Sequence, residues 1–268
     1  MTESAQPPLD ERQELFRAAM IGAEAEQLRM RRFFAMLPSN PRCKACNSPF
    51  GMPGSIVAGA MGRRQWAKNP RFCNRCYTFL RDNGMTGVEI PVSVLFADVR
   101  DSTTLAEQVG PAEFRQRINR FYKIASDAII RTDGLVDKFV GDGVLALYIP
   151  GLTGLDHAAK AVEGARRILE RTRDDGDDPA WLPVGVGVHT GPAFVGAVGE
   201  RGEIEDFTAL GDAVNTTARL ASVAPAGEAL ISTAAAEEAK LDTTGLERRH
   251  LEVKGRTQPV DIVVLRAG

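Results

Sequence analysis

Hydrophobic positions along this chain change rhythm twice, and the changes mark where its segments begin. After a polar, proline-containing tail, Leu15, Phe16, Met20, Ile21, Leu28, Phe33 and Phe34 recur at roughly helical spacing. They predict one amphipathic helix from Glu11 to Leu37. Pro38, Asn40 and Pro41 break it. Beyond Val88 the pattern becomes short β-rich runs alternating with longer helical stretches. A strand over Pro91–Phe96 precedes a helix over Leu105–Thr132, with Leu105, Val109, Phe114, Ile118, Phe121, Tyr122, Ile124, Ala128 and Ile129 on or near one face. Leu135–Val140 and Val144–Tyr148 flank a Gly-Asp-Gly turn and predict a β-hairpin. A helix over Leu155–Arg173 follows. Strands Leu182–His189 and Ala193–Val198 are separated by a Thr190-Gly191-Pro192 turn. A helix over Asp212–Ser222 and strands Ala229–Ser232, Leu251–Val253 and Val260–Leu265 complete the chain. The order βαββαβ predicts an α+β fold of the ferredoxin-like kind, an antiparallel-containing sheet with helices on one face. Three segments result: a tail and helix over 1–40, a cysteine module over 41–84 and the main domain over 88–268.

The cysteines add the first chemistry. Cys43, Cys46, Cys73 and Cys76 form two C-x-x-C pairs, a pattern that reads as a metal site before disulfides in a reducing compartment. Four thiolates wrapped around a structural Zn²⁺ is the leading reading. An iron–sulfur cluster, a redox dithiol and unmetallated cysteines are the alternatives, since the separation between the pairs exceeds the commonest zinc-ribbon spacing. Arg63, Arg64, Lys68, Arg71 and Arg75 make the module basic. They read as a solvated face or a surface for an acidic regulatory partner rather than a nucleic-acid site.

Composition narrows the rest. The chain has 268 residues, 44% hydrophobic and 25% charged, with a net charge of −2. That balance argues against nonspecific nucleic-acid or anionic-membrane binding. No apolar run approaches the ~20 residues of a membrane helix. The N-terminus MTESAQPPLDERQELF has no basic start and no apolar core of a signal peptide, so a cytoplasmic location is expected.

Two further runs carry candidate site residues. Asp142 stands at the hairpin tip between two glycines. Asp98 ends a strand and is followed by Asp101, Ser102 and Thr103. Hard oxygen ligands at element ends suit Mg²⁺ or Mn²⁺ holding a polyphosphate. In EDFTALGDAVNTTARL, Asn215 and Arg219 are four residues apart and share a helix face. Arg219 suits phosphoryl oxygens and Asn215 suits a sugar, although in isolation a helix surface pair is the favoured reading. Gly185-x-Gly187 carries little weight alone, and neither a phosphate-binding P-loop nor a nicotinamide fingerprint is present. His157, His189 and His250 are scattered and read as structural.

In order and spacing, VSVLFADVRDSTTL, VDKFVGDGVLALY, PVGVGVHTGPAFVGAVG, DFTALGDAVNTTARL and LEVKGRTQPV resemble the catalytic domain of the class III nucleotidyl cyclases. The similarity spans roughly residues 88–268 and leaves the N-terminal helix and the cysteine module outside it. It implies that Asp98 and Asp142, with the Val99 carbonyl, hold two Mg²⁺ or Mn²⁺ ions per active site. Lys138 and Thr208 match the pair that reads the purine, and threonine there is similar to the bicarbonate-responsive adenylyl cyclases. Asn215 and Arg219 match the residues that orient the ribose and stabilise the transition state. Lys254 resembles the lysine that holds the terminal phosphates. Arg201 matches a second phosphate-binding residue less well, because the local loop is longer here. The family shares its sites head to tail between two subunits, so a homodimer with two complete sites is implied. Lys138 can donate to adenine N1 and Thr208 can accept from the 6-amino group, so the expected reaction turns ATP into 3′,5′-cyclic AMP and pyrophosphate. GTP or a pyrimidine triphosphate is the nearest alternative. A catalytically silent dimeric protein acting through the cysteine module is the alternative of another class.

Overall fold

Alternation along its longest strands decides how this chain packs. The computed structural model describes residues 9–22, 25–67, 69–84, 87–173, 182–199, 206–252 and 259–266. Lys68, Arg201, Lys254 and the last residue of the expected strand Leu251–Val253 lie outside them. The strands are β1 (Val88–Val99), β2 (Leu135–Val140), β3 (Gly143–Tyr148), β4 (Val184–Val198), β5 (Asp206–Leu210), β6 (Glu228–Ser232), β7 (Arg248–Leu251) and β8 (Val260–Arg266). The helices are α1 (Leu9–Ile21), α2 (Ala25–Met36), α3 (Gly54–Ala60), α4 (Asn74–Phe79), α5 (Ser102–Val109), α6 (Pro111–Arg131), α7 (Pro150–Thr153), α8 (His157–Arg171), α9 (Asp212–Val223) and α10 (Thr233–Glu238).

One sheet runs β2-β3-β1-β4-β6-β8-β7, and β5 pairs with β4. Its first four strands stand in the ferredoxin-like order, with β1 antiparallel to both β3 and β4. On β1, Leu95, Ala97 and Val99 face a core built from α6 (Phe121, Ala125, Ile129), α8 (Ala161, Ala165, Ile168) and α10 (Ala235). The alternate residues Val88, Ile90, Val92 and Val94 are equally buried on the other face, against Phe16, Met20, Cys43, Phe72 and Tyr77. The ferredoxin-like expectation of helices on one face is thus extended. The second face is covered by α1, the cysteine module and α9. Gly151 of α7 makes the α1 contact intimate, since a Cβ there would stand 1.9 Å from the Ala19 carbonyl oxygen.

Several boundaries differ from the expected ones: β1 exceeds Pro91–Phe96 by three residues at each end, and β7 ends at Leu251, where the expected strand begins. The helix expected over Leu105–Thr132 divides at Gly110, whose φ of 78° is left-handed. Pro111 then opens α6 at a position that needs no N–H. The helix expected over Glu11–Leu37 is two helices, the first closed by Gly22 donating to the Ala18 carbonyl at 2.7 Å. The helix expected from Leu155 begins at His157, after the short α7. The turn expected at Thr190-Gly191-Pro192 is the middle of a continuous strand. There Pro192 faces Pro91 across the ladder, a pairing that two residues lacking N–H can make only where neither bond is exchanged.

Candidate active site

The carboxylate pair is built by the ends of β1 and of the β2–β3 hairpin. Asp98 lies opposite Gly143 on one side and Gly185 on the other. A Cβ at Gly143 would sit 3.1 Å from Asp98 Oδ1 and 2.8 Å from the Phe96 ring, so glycine leaves the space that the carboxylate uses. The Val99 N–H donates to the Asp142 carbonyl at 3.4 Å, which fixes the hairpin tip beside the strand end. Burial pushes the Asp98 carboxyl above its ordinary range, and the negative charge of Asp142 adds to that shift. Arg100 opposes both: its guanidinium donates to Asp98 Oδ2 and, at 2.7 Å, to the Ser222 carbonyl at the end of α9. Two hard carboxylates beside a glycine-lined notch fit a divalent cation of the Mg²⁺ or Mn²⁺ kind. Asp98, Asp142 and the neighbouring Val99 would hold it.

Lys138 and Thr208 come together around a third residue that sequence reasoning missed. Asp137 Oδ2 accepts the Thr208 hydroxyl at 2.8 Å and lies 3.4 Å from Lys138 Nζ. Its other oxygen accepts Lys44 Nζ at 2.8 Å, and the same ammonium reaches Asp206 Oδ1 at 2.7 Å. Asp206 also pairs with Arg71 at 3.0 Å. The Asp137 side chain is fully buried and that of Lys44 is 6% exposed, so this is an interior ion pair joining the cysteine module to the sheet. A sequence signal existed: Asp137 occupies an inward position of β2, between Leu135 and the half-exposed Lys138. Asp142 sits in the turn beyond Val140, at the hairpin tip beside the end of β1, whereas Lys138 lies farther back on β2, opposite Leu145, and Thr208 lies on β5. The carboxylate pair and the Lys138–Thr208 pair are therefore separate groupings within one chain.

The helix carrying Asn215 and Arg219 is seated by the glycines that looked uninformative. A Cβ at Gly185 would lie 2.4 Å from the Ala224 carbonyl oxygen, and one at Gly187 2.5 Å from the Ala221 nitrogen. The backbone of α9 thus rests directly on β4. One turn apart on this helix, Asn215 is exposed and Arg219 is half-buried. Two of the three histidines are structural in their contacts: His157 Nδ1 pairs with Ser93 Oγ at 2.9 Å and His189 Nδ1 with Ser232 Oγ at 2.8 Å.

The four cysteines converge although Cys46 and Cys73, the facing members of the two pairs, are 27 positions apart in sequence. All four sulfurs lie within 4.8 Å of one another, and Cys46 Sγ and Cys73 Sγ are 3.7 Å apart. Two arginines supply positive charge. Arg63 Nη1 is 3.5 Å from Cys46 Sγ, 3.8 Å from Cys73 Sγ and 4.0 Å from Cys76 Sγ. Arg31, completely buried, donates to the Ala45 carbonyl inside the first knuckle and to the Asp133 and Gly134 carbonyls at 3.1 and 3.2 Å. Hydrogen bonds from the other thiols hold the Cys73 thiol well below its ordinary range, and the Cys76 N–H adds to them. Among the described residues no other cluster of three or more histidine, cysteine and acidic side chains converges as these do, and no helix is long and apolar enough to cross a membrane.

Comparison with known proteins supplies the family. Residues 88–266 match the family model of the adenylate and guanylate cyclase catalytic domain. The adenylate cyclase of Anabaena cylindrica is 30% identical over 157 residues, 55% of this chain and 31% of that one. The chain thus spans a third or less of the curated relatives it matches. Among solved structures, the adenylyl cyclase CyaB of P. aeruginosa aligns with a TM-score of 0.58 at 27% identity, over 68% of this chain and 97% of that one. The guanylyl cyclase Cya2 aligns with a TM-score of 0.57 at 29% identity, over 68% and 95%. The chain therefore belongs to the adenylate and guanylate cyclase catalytic domain family.

Proposed function

We propose that this chain is a homodimeric adenylate cyclase that converts ATP to 3′,5′-cyclic AMP and pyrophosphate, with a zinc-bound module built onto its catalytic domain. The observation that carries the substrate choice is the meeting of Lys138 and Thr208 at one carboxylate oxygen, Asp137 Oδ2. Lys138 donates to adenine N1, an acceptor, whereas guanine N1 carries a hydrogen. Thr208 accepts from the adenine 6-amino group. Asn215 orients the ribose so that its 3′-hydroxyl faces the α-phosphorus, which is an entropic contribution to rate. Arg219 donates to phosphoryl oxygens whose charge grows during transfer, a contact stronger in the transition state than in the ground state. Divalent cations held by Asp98, Asp142 and the Val99 carbonyl would supply charge neutralisation along the triphosphate and lower the pKa of the 3′-hydroxyl. Lys254 and Arg201 complete the phosphate contacts in this reading.

Homodimerisation is supported by the separation of the two groupings within a chain and by exposed apolar residues close to them. Phe139 beside the hairpin tip is 49% exposed, and the cross-strand partners Phe194 and Leu210 are 42% and 50% exposed. Asp98 and Asp142 of one subunit would meet Lys138, Thr208, Asn215 and Arg219 of the other. At the cysteines, a single ion with bonds of about 2.3 Å sets its sulfurs about 3.8 Å apart, close to the Cys46–Cys73 separation. A cluster of several irons holds its outer thiolates wider. Four thiolates around a divalent ion carry a charge of −2, and Arg31 and Arg63 balance it. Four cysteines gathered as a metal site rather than as disulfides suit a reducing compartment, so the reading places the work in the cytoplasm. Purified protein given ATP, GTP, CTP or UTP with Mg²⁺ or Mn²⁺, with products resolved, tests the activity. Cyclic AMP as the dominant product is expected; cyclic GMP or a cyclic pyrimidine nucleotide in its place would refute the substrate, and no product at all would leave the binding-protein alternative.

A further inference from the structure

We infer that Asp137 is a specificity-determining positioning residue: it fixes the proton of the Thr208 hydroxyl, and Lys44 of the cysteine module fixes Asp137. A threonine hydroxyl has one proton and two lone pairs, so left free it serves a donor or an acceptor equally well. Here its neighbours are acceptors: Asp137 Oδ2 at 2.8 Å and, more distantly, the Ala209 carbonyl at 3.5 Å. A carboxylate can only accept, so the proton points into the protein. Toward any third group Thr208 then shows lone pairs alone. At the six position adenine offers an amino donor and guanine a carbonyl acceptor. The fixed hydroxyl complements the first and leaves the second facing another acceptor, with a hydrogen bond lost on both sides.

The carboxylate is held in turn. Lys44 lies inside the first knuckle, between Cys43 and Cys46, and donates to Asp137 Oδ1 at 2.8 Å and to Asp206 Oδ1 at 2.7 Å. With Asp137 fully buried, this ammonium fixes which oxygen is left for Thr208. The cysteine module is by this route part of base recognition, through a chain from Lys44 to Asp137 to Thr208.

The inference rests on the reading that Thr208 meets the purine edge, and its test separates the two. The measurement is the ratio of kcat/KM for ATP to that for GTP in the full chain. In Asp137→Asn, Lys44 can only donate, so it draws the amide oxygen and turns the amide nitrogen toward Thr208. The hydroxyl must then accept from Asn and point its proton outward, and the ratio falls by about tenfold or more, the scale of one hydrogen bond reversed. A partly unfolded preparation loses both activities together and does not move the ratio. Should Asp137→Asn fail to fold, Lys44→Met combined with Asp137→Ala removes both charges, frees the hydroxyl and must also lower the ratio. Asp137→Glu, which keeps an acceptor, is expected to retain the ATP preference. An ATP-preferring wild type whose ratio is unchanged in a folded Asn or double variant overturns the inference and leaves the adenylate cyclase reading intact. A wild type without ATP preference overturns both.

Discussion

Arg100 and Asp98, two residues apart at the end of β1, form an ion pair at the place where the family's metal would bind, and Arg100 also tethers the Ser222 carbonyl at 2.7 Å. A guanidinium on a metal-ligating carboxylate competes with the cation. Arg100→Gln is therefore expected to lower the Mn²⁺ concentration needed for half-maximal activity several-fold. Asp98→Asn should cost at least about a hundredfold in kcat at any Mn²⁺ concentration, because a ligand and its charge are both lost. Metal titrations of the two variants check this. Unchanged metal dependence in Arg100→Gln would remove Arg100 from the site, and near-normal turnover in Asp98→Asn would remove the metal assignment.

Gly187 bears α9 on its backbone. A Cβ there would meet the Ala221 nitrogen at 2.5 Å and the Thr217 carbonyl oxygen at 2.6 Å, and backbone cannot swing aside as a side-chain tip would. Gly187→Ala should destabilise the fold by about 1–3 kcal/mol through overpacking. It should also lift the helix that carries Asn215 and Arg219, lowering kcat more than it raises KM. Thermal unfolding and steady-state kinetics read the two effects. A fully stable, fully active variant would show that α9 does not depend on this contact.

The sequence was most legible where one periodicity held without interruption. The hairpin about Asp142, α9 and β8 lie where alternation and turn residues placed them. It was least legible where a local signal lost to pairing. Thr190-Gly191-Pro192 carries turn residues, yet the twelve-residue ladder with β1 keeps it extended. Gly110-Pro111 was the opposite case, a break hidden inside a continuous apolar stripe. Asp98, Asp142, Asn215 and Arg219 could be singled out as candidates because their motifs are short and local. Lys44, Asp137 and Arg31 were not: each acts through a partner far away in sequence, such as Lys44 with Asp206, 162 residues apart. Only a buried charge on an inward strand position, as at Asp137, hints at such a partner beforehand.

Glu228 staples the last three strands and gives the fold an acid limit. Its buried carboxylate accepts from Arg249 at 2.7 and 3.1 Å and from Arg266 Nε at 3.0 Å. Burial alone would raise its pKa, but the hydrogen bonds from the two arginines outweigh it and leave the group below its ordinary range. A depressed carboxylate stabilises the fold fully above its unfolded pKa of about 4.3 and loses that contribution as pH falls through the folded value. Glu228→Gln should thus cost about 1.5–3 kcal/mol at neutral pH, and the gap from wild type should close in acid. Urea unfolding at pH 7 and pH 3 measures both. A gap that does not narrow with acid would deny the ion pairs this role.

Mixing two dead variants tests whether the site is shared. Asp142→Ala removes a carboxylate from one grouping, and Arg219→Ala removes the phosphoryl contact from the other. In an equal mixture with free subunit exchange, half the dimers are mixed, and each holds one site free of either substitution. Activity should return to about a quarter of wild type. Background activity despite demonstrated exchange would place all six residues within one subunit.

The cysteine centre is expected to bind one zinc per chain, and losing it should reach beyond the module. Cys43, Cys46 and Cys73 share a buried cluster with Phe16, Val92 and Phe207, so the knuckles are part of the packing under the sheet rather than an appendage. Cys73→Ser leaves three thiolates and a weak fourth ligand, and the arginines that balanced the ion, Arg31 above all, are left buried beside less negative charge. The melting temperature should drop by about 10 °C or more. Release of the first knuckle also frees Lys44 from Asp137, so whatever folded fraction remains should show a lower preference for ATP over GTP. Elemental analysis of protein purified with and without oxygen decides the metal. Stoichiometric zinc under both conditions, absent from Cys73→Ser, is the expected result. Iron with acid-labile sulfide would overturn it and make the module a redox or gas-responsive centre, while a metal-free protein of unchanged stability would reduce the four thiols to ordinary core residues.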